Sequence, residues 1–588
     1  MIKKHRILLL FIIFINPIKS SNLDNINIVT STGIVKGSIK NNVISWEDIP
    51  YALPPIDKLR WTAPRDFESN SIIKSNDNNS CVQESSNLGG VKGNEVIVGS
   101  EDCLYLDIKA PKNRKSLKSL PVMFWIHGGG NISGTKDIYD FSKMVKKHNV
   151  IVVTINYRLG PFGWMSHPAI QDIQSGLDKS SNYGTLDIIQ ALKWVKKNIH
   201  LFGGNKNNVT IFGESAGGHN VLSLIASPQA KGLFHKAISQ SGYTTSISYQ
   251  NAYNPSDPKY KDSNYSHKIV NNLINDIDNK SIEEVHHLLK KIPHDTFFKQ
   301  YINKSSSDMP LLTNDGIVLP VIGLEAALEK ENLINNVPVI AGSNRDEVKL
   351  WIGFAKYFVE LDYSLIGSIL GIPKIKIKNI DSFEAFNYYR SSAWQIRGVI
   401  QPLSALNTAK NFNTYAYRYD WDDHRKFLFI DLQKLIGAAH ATEIPLITGN
   451  NKLVGNYGPL LYPHGPSKRF TSNNMMKFWT NFAKSGEPGF STNDINWEKY
   501  DYQNRKFMIL DKKRNMHVSN FSTNFIDLVL ELNFDDRVNE IEKCVILYQI
   551  SSLVGNNIFN ELIHYADFMC TKSDAINFLE ANDSFIEY

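Results

Sequence analysis

The amino-acid sequence predicts an α/β fold in which helices cover both faces of a mostly parallel central sheet. Three apolar runs, at residues 122–126, 150–155 and 209–212, have the length of buried strands. Between the last two, residues 187–199 carry apolar side chains at helical spacing. Uninterrupted apolar strands that are separated by helices are typical of a parallel sheet buried on both faces. With 42% hydrophobic and 21% charged residues, the 588-residue chain has the composition of a globular protein with a large core.

Later residues continue the alternation of strands and helices. A helix is expected to begin at Ala216, and further strands are expected at residues 237–239, 337–341 and 414–419. A long polar insertion at residues 246–307 separates two of these units. Large α/β folds often run as one domain, so we expect this one to extend over residues 22–588.

The C-terminal part of the chain follows this alternation less regularly, beginning after Leu510. After about residue 535 we expect an extension to the domain. Within it, residues 537–553 are expected to form a closing helix, and residues 570–588 are expected to be poorly ordered.

The first residues have the order of a secretory signal peptide. Basic residues among the first six precede an unbroken apolar run at residues 7–15, and the small residues Ser20 and Ser21 follow it. The run is too short to span a bilayer comfortably. We therefore expect residues 1–21 to be removed, and the mature protein to be secreted or extracytoplasmic and without a membrane span. An uncleaved membrane anchor is the alternative interpretation of the same run.

The distribution of charge argues against a nucleic-acid partner. The formal net charge is +6, but acidic and basic residues are interspersed and no long block of one sign occurs. The sequence has no cysteine–histidine cluster with metal-binding spacing and no phosphate-binding loop. We therefore expect no metal and no cofactor.

The four cysteines are Cys81, Cys103, Cys544 and Cys570. An exported protein meets oxidising conditions, in which thiols pair. Cys81 and Cys103 are close in sequence and are expected to form a disulfide, which would contribute about 3 kcal/mol on the chain-entropy model. Three alternatives stay open for Cys544 and Cys570: a disulfide with each other, two free thiols, or a link between two chains.

The segment Gly213-Glu214-Ser215-Ala216-Gly217 contains the candidate nucleophile. It has the form G-x-S-x-G and lies between a predicted strand and a predicted helix. In that position the serine occupies a strained turn that exposes its hydroxyl, and the glycines let strand and helix approach closely. The helix N-terminus then points at the negative charge that develops on the substrate. The segment predicts an α/β-hydrolase fold with Ser215 as nucleophile, and the alternative is a structural serine in a glycine-rich turn.

A second glycine-rich segment, His127-Gly128-Gly129-Gly130, follows the predicted strand at residues 122–126. A loop at this place upstream of the nucleophile supplies backbone N–H groups to the oxyanion of a tetrahedral intermediate. Each such donor contributes roughly 3 kcal/mol to transition-state stabilisation. The segment predicts an oxyanion hole, and a flexible loop is the alternative.

Several stretches of the chain resemble the type-B carboxylesterase and cholinesterase-like family. They occur in the family's order between about Thr32 and about Leu510. The most specific of them are residues 100–106 (SEDCLYL), 156–160 (NYRLG), 202–204 (FGG), 213–217 (GESAG) and 238–242 (ISQSG). The resemblance implies the α/β-hydrolase fold and the hydrolysis of small carboxylic esters without a cofactor.

The resemblance also implies the partners of Ser215. Residues 341–347 (AGSNRDE) are similar to the segment that holds the catalytic acid, which becomes Glu347, and residues 437–444 (GAAHATEI) to the segment that holds the base, which becomes His440. The other positions that match the family's motifs are the oxyanion donors Gly129, Gly130 and Ala216, the supporting residues Glu214 and Ser241, and the disulfide Cys81–Cys103.

The chain departs from the family at three points. The family's later disulfides have no evident cysteines here, Val348 follows Glu347 where a glycine is usual, and His219 stands where small residues are typical. In the family's cholinesterases, the loop closed by the first disulfide carries a tryptophan that faces the quaternary ammonium group. Residues 82–102 contain no Trp, Tyr or Phe, so selectivity for choline is not expected.

Other residues near these motifs have two interpretations each. His219 is expected to pack locally in its helix and not to act in catalysis. Trp351, Phe354 and Phe358 line either a substrate gorge or one face of an ordinary helix. Asn131 begins a glycosylation sequon by pattern, but it adjoins the predicted oxyanion loop and is expected to be buried.

The predicted reaction is ester hydrolysis through an acyl-enzyme. His440 removes the proton of Ser215 and Glu347 orients the imidazole. An unperturbed histidine titrates near pH ~6.5, so activity is expected to rise with pH around that value. The alternatives are a lipase-like or cholinesterase-like specificity, or a non-catalytic adhesion-type relative; because the triad is complete, the sequence favours an enzyme.

Overall fold

The computed structural model describes residues 26–76, 78–86, 90–117, 119–254, 265–302, 312–362, 374–427 and 430–582. The expected signal peptide at residues 1–21 lies outside these residues. Among the described residues, no helix combines the length and the apolar character that crossing a membrane requires.

Apolar runs form an eleven-stranded central sheet within the described part of the chain. In chain order its strands are β1 (Ser38–Lys40), β2 (Val43–Pro50), β3 (Tyr105–Pro111), β4 (Leu120–Ile126), β5 (Ile151–Ile155), β6 (Gly204–Glu214), β7 (Lys236–Gln240), β8 (Val339–Asn344), β9 (Thr414–Tyr419), β10 (Lys506–Leu510) and β11 (His517–Asn520).

The strand order in the sheet is β11-β10-β9-β8-β7-β6-β4-β5-β3-β2-β1. Neighbours from β10 to β5 in this order are parallel. The edges are antiparallel: β11 pairs with β10 on one side, and β3, β2 and β1 continue from β5 on the other. The predicted, mostly parallel sheet is confirmed, and the antiparallel edges are an addition that the sequence analysis did not make.

Helices cover both faces of the sheet. The longer ones are α1 (Tyr183–Asn198), α2 (Ala216–Ala226), α3 (Ser266–Leu273), α4 (Ile282–Lys291), α5 (Ile380–Gln395), α6 (Gln401–Thr408), α7 (Pro466–Ser485), α8 (Phe525–Asn533), α9 (Glu540–Ser552) and α10 (Lys572–Ala581). Two of these longer helices, α3 and α4, lie in the polar insertion.

Side chains of the central strands point alternately into two core layers, as the period of a strand requires. On β4, Phe124 and Ile126 belong to one layer, which also contains the apolar faces of α1 and α2. Met123 and Trp125 belong to the other layer, which contains α7. The first layer runs from Val35 to Leu579 and so includes the C-terminal helices.

The C-terminal segment is helical. Helix α9 lies within the predicted closing helix. The expectation of poor order was wrong for the residues of α10, because Thr571 and Asp574 form a capping box at its start and Ala575 and Leu579 are buried on its inner face. The last six residues of the chain, 583–588, lie outside the described part.

Two disulfides cross-link the described residues. Cys81 bonds Cys103, as predicted. Cys544 bonds Cys570, which selects the first of the three alternatives left by the sequence. The second disulfide joins α9 to the residue just before the N-cap of α10.

Candidate active site

Ser215 lies between β6 and α2 in a conformation that is rare for a residue with a side chain. Its φ is 58° and its ψ is −125°. The backbone N–H of Ser215 donates to the carbonyl of Gln240 at 2.8 Å, and its own carbonyl accepts from the N–H of His219 at 2.9 Å. A Cβ on Gly217 would overlap the carbonyl oxygen of Ile126. The glycine thus lets α2 pack directly on β4, and Ser215, which is half-buried, lies at a strained strand-to-helix turn.

The loop after β4 lies against this turn. A Cβ on Gly128 would approach the Cβ of Ser215 to 3.0 Å. Gly129 has a φ of 101°, which favours glycine, and its carbonyl accepts from the N–H groups of Ile132 and Ser133 at 3.0 and 2.9 Å. Among the described residues, the N–H groups of Gly129, Gly130 and Ala216 have no acceptor.

The imidazole of His440 is held by a buried carboxylate. Its Nδ1 lies 2.6 Å from Oε2 of Glu347, which is 0% exposed. The other oxygen, Oε1, accepts from the hydroxyl of Ser241 at 2.6 Å and from the backbone N–H of Asn344 at 2.7 Å. These contacts place the proton of the neutral imidazole on Nδ1 and leave Nε2 to act as a base.

Asp346 is adjacent to Glu347 but has different partners. Its Oδ2 accepts from Arg345 at 2.6 Å and from the backbone N–H of Ala438 at 2.9 Å, and its Oδ1 accepts from Asn387 at 2.8 Å. Burial by itself would raise the pKa of Asp346, but the positive charges of Lys349 and Arg345 outweigh this effect and lower the pKa to about 2. This carboxylate therefore supports the loop and does not contact the imidazole.

The Nε2 atom of His440 faces a second carboxylate. It lies 3.1 Å from Oε1 of Glu214, without the alignment of a hydrogen bond, and it has no hydrogen-bond partner among the described residues. No hydrogen bond from Ser215 to His440 is therefore formed among the described residues. Catalytic hydrogen bonds are often loose until substrate binds.

Charge in the site favours a protonated imidazole. Burial lowers the pKa of His440, but Glu214 and Glu347 outweigh it and raise this pKa above the ordinary value. Burial raises the pKa of Glu214, although His440 acts in the opposite direction. The expectation of a pH dependence centred near 6.5 therefore shifts to higher pH.

A third carboxylate, Glu443, was given no role in the sequence analysis. It is fully buried and accepts from Gln240 at 3.0 Å and from Asn344 at 2.8 Å. Gln240 in turn accepts from the indole N–H of Trp479 at 3.0 Å. A lone acidic residue three positions after His440, followed by the apolar pair Ile444 and Pro445, was the signal that could have identified it.

Two tryptophans pack on the imidazole. The ring centroids of Trp351 and Trp394 lie 5.0 and 4.8 Å from that of His440, and the two indoles stack at 5.6 Å. Of the three aromatics proposed for a gorge or a helix face, Trp351 alone contacts His440 directly: Phe354 is 66% exposed, and Phe358 is buried in the core. Trp394 was not identified from the sequence.

His219 and Asn131 have the structural surroundings that were expected. The ring of His219 stacks on Tyr243 at 4.3 Å, and its Nε2 lies 2.8 Å from the carbonyl of Thr245. Burial lowers the pKa of His219 to about 4, so the ring is neutral. Asn131 is buried, and its side chain accepts from Asn220 at 2.8 Å.

One acidic cluster has the spacing of a cation site. Asp48, Asp107 and Asp137 bring carboxylate oxygens close together. The ammonium of Lys136 lies among them, at 2.9, 2.9 and 2.7 Å from these three residues. Burial by itself would lower the pKa of Lys136, but the three carboxylates outweigh this effect and raise the pKa. The cluster therefore already contains its cation.

Comparison with known proteins relates this site to a family. A model described as the carboxylesterase family matches residues 24–365 and 381–527. The para-nitrobenzyl esterase of Bacillus subtilis (strain 168) is 31% identical over 514 residues, which cover 83% of this chain and 95% of that protein. Liver carboxylesterase of Sus scrofa is 30% identical over 490 residues, covering 77% of this chain and 83% of that protein.

Solved structures agree with these relatives. A structure titled PNB esterase has a TM-score of 0.65 and 28% identity, and the match covers 84% of this chain and 97% of that one. A carboxylesterase of Geobacillus stearothermophilus has the same fold, with a TM-score of 0.62 and 24% identity over 84% of this chain and 98% of that one. The chain therefore has the α/β-hydrolase fold and belongs to the carboxylesterase family.

Proposed function

We propose that this protein hydrolyses small carboxylic esters, with Ser215, His440 and Glu347 as its catalytic triad. The observation that carries the proposal is the 2.6 Å contact between Glu347 and His440, whose Nε2 lies 3.1 Å from Glu214, the residue just before Ser215 on the strained strand-to-helix turn. The backbone N–H groups of Gly129 and Gly130 lie in the loop after β4, and that of Ala216 lies at the start of α2. Among the described residues these three N–H groups have no acceptor.

In the first half-reaction, the Ser215 oxygen attacks the ester carbonyl carbon while Nε2 of His440 takes the hydroxyl proton. The N–H groups of Gly129, Gly130 and Ala216 stabilise the resulting oxyanion. When the tetrahedral intermediate collapses, the bond to the alcohol oxygen breaks, and His440 gives its proton to that oxygen. Glu347 stabilises the imidazolium in both steps and keeps Nδ1 protonated.

In the second half-reaction, water repeats these steps on the acyl-enzyme. His440 takes a proton from the water, whose oxygen attacks the acyl carbon, and then returns the proton to Ser215 as the carboxylic acid leaves. With water as the second reactant, atoms and charge balance in both half-reactions. Every proton transfer in them uses a side chain of this protein.

A fluorophosphonate probe tests the nucleophile. The probe should label Ser215, as mapped by tandem mass spectrometry, and Ser215→Ala should lose ester turnover and labelling together. Ser223→Ala is the matched control, because it removes a buried hydroxyl from the same helix, where it donates to the carbonyl of His219. Labelling at another serine, with turnover intact in Ser215→Ala, would contradict the proposal.

We further propose that the protein is exported and that residues 1–21 are removed. The apolar run near the N-terminus supports this proposal, as do the two disulfides, which persist in oxidising compartments. Expression of the full chain in a eukaryotic secretory host, followed by N-terminal sequencing of protein from the medium, tests it. Retention of the protein in the cell with an intact N-terminus would contradict it.

A further inference from the structure

The C-terminal segment, residues 528–582, lies beyond the part of the chain that matches the family model, which ends at residue 527. It nevertheless makes buried polar contacts with helix α5. Oε1 of Glu542 accepts from the hydroxyl of Ser382 at 2.5 Å and from that of Tyr357 at 2.8 Å. Asp535 accepts from the hydroxyl of Tyr389 at 2.9 Å. The segment is therefore bound to α5 along much of the length of that helix.

The same segment binds the π-helix that continues α5, residues Ile396–Ile400. The guanidinium of Arg397 donates to the carbonyl of Ser551 at 2.9 Å and to that of Asn556 at 2.8 Å. It also lies over the ring of Phe525, 4.9 Å from the centroid. Ser551 lies in the last turn of α9, where the helix end carries partial negative charge and favours a cation, and its carbonyl also accepts from the N–H of Ile558 at 3.0 Å. Arg397 thus joins the π-helix to the end of α9.

On its other side, the π-helix region contacts the proposed active site. The indole N–H of Trp394 donates to the carbonyl of Ser241 at 3.1 Å, and its ring packs on His440. A Cβ on Gly398 would overlap the carbonyl oxygen of Gly242. Ser241 is also the residue whose hydroxyl binds Glu347. One helical segment therefore contacts the C-terminal segment on one side and the supports of the triad on the other.

A π-helix is uncommon, and tertiary contacts must maintain its wider turn. We propose that Arg397 is a positioning residue: by binding the carbonyls at the end of α9, it maintains the π-helix that packs Trp394 against His440. The C-terminal segment then supports the active site, although it supplies no residue that touches the reacting atoms. This inference rests on the proposed function of His440.

The test compares three variants with the full-length protein. Arg397→Met keeps the length of the side chain but removes both hydrogen bonds, Arg397→Lys keeps one charged donor, and Arg537→Met is the matched control. Arg537 belongs to the same C-terminal segment, where it binds Asp535 and lies over the ring of Tyr388 in α5; among the described residues it has no hydrogen bond or ion pair with the π-helix. We expect Arg397→Met to lower kcat for a small neutral ester about tenfold or more with KM nearly unchanged, since misplaced catalytic groups slow the chemical step.

Circular dichroism supplies a readout that a purely structural role would not change. The stacked pair of Trp351 and Trp394 should give a coupled indole signal, which Trp394→Phe removes. We expect the signal to change in folded Arg397→Met, to recover together with kcat in Arg397→Lys, and to stay normal in Arg537→Met. Wild-type kcat and a wild-type indole signal in Arg397→Met, with lower thermal stability alone, would overturn the inference.

Failure of this inference can be told apart from failure of the proposed function. If the proposed function is wrong, Ser215→Ala keeps its ester turnover. The Arg397 test needs only a measurable rate for the wild-type protein. If Arg397→Met does not accumulate as folded protein, Arg397→Gln takes its place. The amide is neutral and its side chain is shorter than that of arginine, so the same criteria for kcat, KM and the indole signal apply to it.

Discussion

Asp346 and Glu347 show how differently two adjacent carboxylates can be used. Glu347 contacts the imidazole of His440, whereas Asp346 is paired with Arg345 and the N–H of Ala438. We expect Glu347→Gln to lower kcat about a hundredfold or more, because the amide no longer stabilises the imidazolium. Asp346→Asn should lower the melting temperature and leave kcat within a few fold. Steady-state kinetics and calorimetry on both variants check this, and the reverse ranking would identify Asp346 as the acid.

Glu214 is one of the carboxylates that raise the pKa of His440. With Glu347, it raises the pKa of His440, so the base becomes neutral only at higher pH than an ordinary histidine. Glu214→Gln removes one of these negative charges. The pKa of His440 must then fall, so the rise of kcat/KM with pH should move to lower pH. We expect a shift of about one pH unit, which corresponds to a loss of about 1.4 kcal/mol of charge interaction. A pH profile measured between pH 5 and about 10 checks the direction. Movement to higher pH would contradict it.

Among the elements, the loop closed by the first disulfide bears on substrate choice. Residues 82–102 offer no aromatic face, and Trp394 is only 1% exposed because it is packed against His440. We expect acetylcholine and its uncharged 3,3-dimethylbutyl isostere to have similar kcat/KM values at low ionic strength. The two esters differ in charge and hardly in shape, so each controls for the other. A preference for the cation of about thirtyfold, roughly 2 kcal/mol, would reveal a cation site.

Some strands and helices could be predicted from the sequence, and others could not. The buried parallel strands were predictable because each is an unbroken apolar run between helices. The edge strand β1 was not, because Ser38, Ile39 and Lys40 are all exposed and carry no apolar pattern. Helix α10 was also missed, since it buries Ala575 and Leu579 on a surface that α9 supplies from elsewhere in the chain.

For the whole molecule, the resemblance to a family pointed to the proposed triad residues, but not to the groups that hold them. Spacing alone identified Ser215 through its local turn. It could not identify Trp394, which reaches His440 only through tertiary packing of distant segments. Glu443, three positions after His440, was overlooked although it lies in the same short segment. Arg397 was missed because the two carbonyls that accept its hydrogen bonds lie 154 and 159 residues later in the chain.

The second disulfide should determine the stability of the C-terminal segment. Cys544 and Cys570 close a loop with a sequence separation of 26, for which the chain-entropy model gives about 3–4 kcal/mol. Replacing both by Ser should make residues 553–571 sensitive to limited proteolysis at temperatures where the sheet remains folded. Mass spectrometry of the fragments checks this prediction, with the unmodified protein without reductant as control. An unchanged cleavage pattern would show that packing alone holds the segment.

The backbone of Ser215 has a consequence for how such a protein can be improved. A residue with a side chain at φ 58° and ψ −125° carries strain of about 1–3 kcal/mol that glycine would relieve. Ser215→Gly should therefore melt at a higher temperature than Ser215→Ala while being equally inactive. Selection of random variants for thermal resistance alone would then favour loss of the nucleophile. A library screened for heat tolerance must therefore be screened for ester turnover in the same round. At residue 215, a substitution that raises thermal stability is expected to abolish activity.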